Sequence, residues 1–321
     1  MCRTAWACAR ALPRVAANPI ATLPMLKTHD RYDYDALPQR PDYSWPGGRR
    51  LAVHLSLNVE HFAFGEGLGN DYAAPHPQPN HRSFAWRDYG NRVGIWRLLE
   101  LAQDFDLPYA LLVNTELYDY CPEMIEAFSE RGDEIVAHGR TNAERQGDMD
   151  EQQEKACIEE AAAAIARHEG VAPAGWLAPY ISQTHRSLEL LKAAGFRYMM
   201  DWPLDDQPVW MRTANGPILS IPYSHDLNDS LECVVRRTPS QSFCDNLIDQ
   251  FDEMLAESER RPLVMPIVLH SFILGQPYRL RQFRRVVQHI LAHRDRIWLT
   301  RPGEICTHIE SLPAGIVPGS R

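Results

Sequence analysis

The chain has 321 residues, 45% hydrophobic and 23% charged, enough for one large domain or two small ones, and this ordinary globular composition excludes global disorder. Its net charge of -9 argues against a nucleic-acid backbone as main partner, because phosphate recognition needs clustered Lys and Arg, and the one basic cluster, Arg279 to Arg285, falls in a helical pattern as a solvated face. No apolar run approaches the roughly 18 residues that a membrane span needs. Seven scattered cysteines, odd in number and without a C-x-x-C pair, fit a reduced, cytoplasmic protein better than a disulfide scaffold or zinc ribbon.

In chain order, residues 1–30 carry Arg3, Arg10, Arg14 and Lys27 and no acidic residue before Asp30. They lack the Ser-rich amphipathic pattern of a transit peptide and the apolar stretch of a secretory signal. They are expected to be a poorly ordered extension or an over-extended start, with Met25 as the first residue, and the domain is expected over 31–315. From Leu51 on, short apolar runs alternate with longer amphipathic segments. Strands are predicted over 51–60, 109–113, 134–137, 174–178, 196–200, 217–221, 263–269 and 296–299. Helices are predicted over 93–105, 122–131, 150–168, 184–194 and 240–258, then along Leu280 to Leu291 and near the end of the chain. Near-continuous apolar strands in a βα repeat are the mark of a parallel sheet buried on both faces, so a closed or nearly closed α/β barrel is expected. An open doubly wound sheet is the alternative, and no G-x-G-x-x-G after the first strand supports it.

Four of these strands end in groups suited to chemistry. Asn58 and Glu60 close the first, His138 the one at 134, Asp201 the one at 196 and His270 the one at 263. Strand C-terminal ends converge on one face of an α/β barrel, which carries the active site. Each has a blander reading, as a surface charge, a turn residue or a core histidine. Phe62 to Tyr89, with Gly65, Gly67, Gly69, Pro75, Pro77 and Pro79, is too long for an ordinary βα loop and is read as a substrate lid or an inert insertion.

The ordered set Leu57-Asn-Val-Glu-His61, Tyr89-Gly-Asn-Arg-Val-Gly94, Gly132-Asp-Glu-Ile-Val-Ala-His-Gly139, Trp176-Leu-Ala-Pro179, Asp201-Trp-Pro-Leu-Asp-Asp206 and Leu269-His-Ser-Phe-Ile-Leu-Gly-Gln-Pro277 resembles the polysaccharide deacetylase (NodB-homology, carbohydrate esterase family 4) superfamily. It looks closest to the branch that contains cofactor-independent allantoinases. The resemblance implies a single distorted (β/α)7 barrel. Metal-dependent members hold a divalent ion with a carboxylate and an H-x-x-x-H pair. Here Glu60 and His138 match two ligands, but the second His position is Asn142, a poorer zinc ligand. In a register shifted by one residue, His61 becomes the candidate ligand. Glu60, Asn58, Asp201 and His270 are the candidate catalytic groups, with His270 the proton donor and Asp201 orienting or tuning a partner. Arg92, Asn142, Pro179 and Trp202 are candidate substrate contacts.

These features together predict a hydrolase of a non-peptide carbon–nitrogen bond in an N-acetylated sugar or small amide. The alternatives are a cofactor-independent cyclic amide hydrolase or a binding protein that keeps the cleft without the chemistry. Zinc is one cofactor expectation and none is the other. The partners expected are a sugar or small-molecule substrate, with neither nucleic acid nor membrane; the resemblance alone suggests a homo-oligomer.

Overall fold

Strand β1 (Leu51–Val59) alternates along its whole length, and this alternation sets both faces of the sheet. Leu51, Val53, Leu55, Leu57 and Val59 point outward into the layer filled by helical residues such as Ile95, Leu98, Phe251 and Phe283. Ala52 packs on the inner side with Ala110, Leu112, Val136, Val264 and Val268. His54, Ser56, Asn58 and Glu60 continue that inner row, so one face of an apparently apolar strand is a polar ladder. The structure is a computed structural model that describes residues 28–66 and 79–320. The expectations for residues 1–27, and for Gly67 to Gln78 of the lid segment, lie outside the described residues.

The remaining strands are β2 (Tyr109–Val113), β3 (Glu134–Ala137), β4 (Gly175–Trp176), β5 (Tyr198–Met199), β6 (Val209–Met211), β7 (Ile218–Ser220), β8 (Leu263–His270) and β9 (Ile297–Thr300). They run in the order β6-β7-β5-β4-β3-β2-β1-β8. On its second edge, β1 pairs with β9 over Leu51–His54 and with β2 over Leu55–Val59. Every pairing is parallel except β6 with β7. β8 has no further ladder partner among the described residues; it meets the bridge Asn228–Val268 and the Asp206 carbonyl, so the sheet curls into an open, distorted (β/α) barrel. β6 escaped sequence reading because three residues behind Pro208 give no period. The strands expected over 174–178 and 196–200 contract to two residues each.

The helices are α1 (His81–Tyr89), α2 (Ile95–Phe105), α3 (Leu117–Tyr120), α4 (Pro122–Ser129), α5 (Glu151–Glu169), α6 (Ser187–Ala193), α7 (Ser240–Glu257), α8 (Ser271–Leu274), α9 (Pro277–Leu291) and α10 (Pro302–Ser311). α5 starts at a reciprocal cap, where Asp150 accepts from the Gln153 N–H and Gln153 answers the Asp150 N–H. The end of the expected lid segment is not loop: 81–89 is α1, capped by Asn80, and runs through the π-helical turn Gly90–Gly94 into α2. No helix among the described residues is long and apolar enough to cross a membrane.

Gly94 of that turn and Gly275, just after α8, have a packing cause. A Cβ on Gly94 would lie 2.2 Å from the Ser271 carbonyl oxygen, and one on Gly275 would lie 2.3 Å from the Gly94 Cα. Backbone therefore meets backbone where α8 leaves β8, and this contact seats the turn that follows His270.

Candidate active site

Strand register brings the candidate groups level. Asn58 is the direct partner of His270 across β1 and β8. Val59 pairs with Val113 across β1 and β2, and the His138 N–H donates to the Val113 carbonyl at 3.1 Å. The strand ends carrying Asn58, Glu60, His138 and His270 therefore open onto one cavity of about 180 Å³. Its wall also includes Phe62, Arg87, Asn142, Leu177, Tyr180 and Tyr223, with His225 and Asn228 on the loop after β7.

Glu60 is the centre of the site. It is only 8% exposed, and its Oε1 lies 3.6 Å from His138 Nε2 and 3.6 Å from His270 Nε2. Its backbone carbonyl accepts from Asn91 Nδ2 at 2.9 Å, which ties it to the Gly90–Gly94 turn. Burial alone would raise the Glu60 carboxyl. The facing His270 and His138 imidazoles, with Arg87, outweigh burial and hold it below the usual carboxylate range. Arg87, itself buried, lies flat over the Phe62 ring at 3.9 Å.

His270 is held from behind. Its Nδ1 bonds Asp229 Oδ1 at 2.6 Å, and its backbone N–H donates to Asp229 Oδ2 at 2.9 Å. Burial would lower this imidazole, but the Asp229 and Glu60 carboxylates overcome that and raise it. Nε2 is thus left to face Glu60 and the cavity. His138 is set the other way: Nδ1 donates to the Leu177 carbonyl at 2.7 Å, and Nε2 is turned toward Glu60. Its Nε2 and the Asn142 Oδ1 are buried without a hydrogen bond among the described residues. Asn58 gives its amide to the Tyr223 hydroxyl and the Leu269 carbonyl, each at 3.0 Å, so it braces the wall. Two cavity-lining residues, Tyr180 (φ 62°) and Ile181 (φ 55°), occupy the left-handed region, which is rare for a β-branched residue and of the kind that clusters at functional sites.

The structure brings Asn58, Glu60, His138, Asn142 and His270 together and leaves other candidates aside. Asp201, expected to orient or tune a catalytic group, is bonded away from the cavity. β5 ends early, and the Asp201 carboxylate turns back to the Ala178 N–H at 2.6 Å and to Gln183 Nε2 at 2.7 Å; burial lifts its carboxyl to about 7. The carboxylate that touches His270 is Asp229, at the N-cap of a second π-helical turn, Ser230–Val235, in a stretch with no periodic signal. Arg92 is exposed on the π-helical turn, and Arg87, one turn earlier, is the guanidinium in the cavity. Pro179 and Trp202 lie outside the wall: the Pro179 ring sits over Gly139, and the Trp202 indole N–H donates to Gln183. His61, the ligand of the shifted register, faces Glu116, Phe84 and Tyr120.

The donor set does not fit a closed zinc site. Glu60 stands between its two imidazoles, Asn142 offers an amide oxygen and His61 faces elsewhere. Among the described residues, the only three His, Cys, Asp or Glu side chains whose ligand atoms all lie within 4.8 Å of one another are Asp252, His289 and His293, on α7 and at the end of α9.

Residues 86–199 match the polysaccharide deacetylase family model. A Schizosaccharomyces pombe protein provisionally named a polysaccharide deacetylase is 26% identical over 291 residues, 81% of this chain and 90% of its own. Among solved structures, PuuE allantoinase is 29% identical with a TM-score of 0.76, over 87% of this chain and 98% of its own. The "probable polysaccharide deacetylase" of Pseudomonas aeruginosa PAO1 is 29% identical with a TM-score of 0.74, over 82% and 92%. Along most of its length the chain is thus similar to proteins named polysaccharide deacetylases and to an allantoinase, and residues 86–199 match the polysaccharide deacetylase model.

Proposed function

We propose that this chain hydrolyses a non-peptide carbon–nitrogen bond in an N-acetylated sugar or a small amide, cyclic amides included, and that it does so without a resident metal. The observation that carries this reading is Glu60, held 3.6 Å from His138 and from an Asp229-backed His270 on a cavity of about 180 Å³. The cavity volume favours a single ring or acyl group over a length of polymer. The names of the relatives support deacetylation, and the allantoinase likeness supports the cyclic amide.

The proton inventory suits the reaction. Glu60 is depressed and stays ionised; His270 is raised and holds its proton. Base and acid are therefore ready in the same resting state. Water attacks the carbonyl carbon as Glu60 takes its proton. The oxygen that gains charge faces the Arg87 guanidinium and the Asn142 side chain, a fixed positive environment that needs no reorganisation. The C–N bond then breaks as His270 Nε2 gives its proton to the departing nitrogen. Glu60 returns the proton it took, through His270, to close the cycle. His138, with Nδ1 fixed toward Leu177, presents Nε2 beside Glu60 to the attacking water or the substrate.

The intact set of base, acid and backing carboxylate favours hydrolysis over a member that only binds. The five cysteines among the described residues are free, four of them buried, which supports a reducing, cytoplasmic setting. Hydrolysis of a panel of acetylated sugars and small linear and cyclic amides, run in chelator, tests the reading. Turnover that survives chelation and disappears in Glu60→Gln supports it. Turnover that survives Glu60→Gln contradicts it.

A further inference from the structure

We propose a second site of unrelated chemistry on the outer wall: Asp252, His289 and His293 form a clasp for a zinc-class divalent transition ion. His289 lies in the last turn of α9 and His293 four residues on, so both imidazoles project from one side. Asp252 reaches them from α7, with its Oδ1 2.7 Å from His289 Nε2. The ligand atoms of all three lie within 4.8 Å of one another.

The imidazoles share a floor. Phe251, fully buried, meets His289 edge-on and His293 at a tilt, each with ring centroids 5.7 Å apart, and the two imidazoles lie 5.7 Å from each other. Both rings are thus placed before an ion arrives. Two imidazoles and one carboxylate suit zinc, copper or nickel and disfavour calcium and magnesium, which prefer all-oxygen sets. Binding replaces the proton now shared by His289 Nε2 and Asp252 Oδ1, and water completes the shell. The clasp ties α7 to α9 near the start of β9, at the opposite end of the strands from the cavity, so it acts on stability and not on the reaction.

The test uses the full chain, stripped with chelator and dialysed, then titrated with zinc by calorimetry and melted with and without it. The expected result is one tight equivalent and a rise in Tm, with affinity at least about tenfold weaker in His289→Ala and in Asp252→Asn, which leaves the helix surface nearly isosteric. Both variants should keep the melting temperature of the zinc-free parent within a few degrees, because the side chains are partly exposed. No zinc binding overturns the proposal. So does binding that both variants retain, and loss of that binding in His138→Ala would then locate the ion in the cavity.

Discussion

Glu60 and His270 act as a pair because each sets the other's charge. Replacing Glu60 by Gln keeps the shape but removes the proposed base, and kcat is expected to fall by about 10²–10⁴, as measured by steady-state hydrolysis. Replacing Asp229 by Asn removes the group that raises His270. The alkaline limb of the pH–rate profile, which reports loss of the His270 proton, should move to lower pH, while the acid limb set by Glu60 stays in place. A profile that merely drops in height would assign Asp229 a structural role only. The strand-end residues were legible because a polar group at the close of an apolar strand leaves a mark in the sequence. Asp229 and Arg87 leave none. One caps the π-helical turn Ser230–Val235 and the other lies in α1, within a segment that reads as loop; only the fold brings them to the cavity.

At the scale of elements, His270, the proposed acid, is placed by contact between two short pieces that sequence periodicity does not register. α8 is four residues long and the Gly90–Gly94 turn five, yet Gly94 and Gly275 let their backbones touch beside His270. Gly94→Ala and Gly275→Ala each place a methyl group against backbone, and overpacking of this kind costs about 1–3 kcal/mol. Urea denaturation should show that loss, and kcat should fall with it, because relief requires α8 to move and His270 with it. An alanine variant with parental stability and rate would remove the role given to the turn. The long helices and the central strands were legible because burial imposes their periods. β4, β5, β6 and the π-helical turns are held by neighbours and carry no period of their own.

At the scale of the whole molecule, two buried groups push stability in opposite directions across the same pH range. His54 sits inside the barrel with Nε2 3.0 Å from the Pro222 carbonyl, and burial drops its imidazole to about 4. Its contribution is complete above about 6.5 and is lost as pH falls toward 4. Asp201 is lifted to about 7, so its ionisation weakens the fold progressively as pH rises from about 4 to 7. Each effect is on the order of 3–4 kcal/mol and they oppose each other, so the parent should show a shallow dependence in this range. His54→Gln should leave stability falling with pH, and Asp201→Asn should leave it rising, as read from urea midpoints at pH 5 and pH 7. Equal slopes in the two variants would contradict both assignments. The barrel itself was legible in the strand pattern; the inner polar ladder of β1 was not, because His54 and Ser56 are diluted among the outward leucines and valines. The central claim is that hydrolysis rests on Glu60 and His270 without a metal. The most direct measurement is amide hydrolysis by the His289→Ala/His293→Ala protein, which removes the outer-wall ligands, before and after chelation. Unchanged turnover is the predicted result; turnover lost on chelation and restored by zinc would contradict the account.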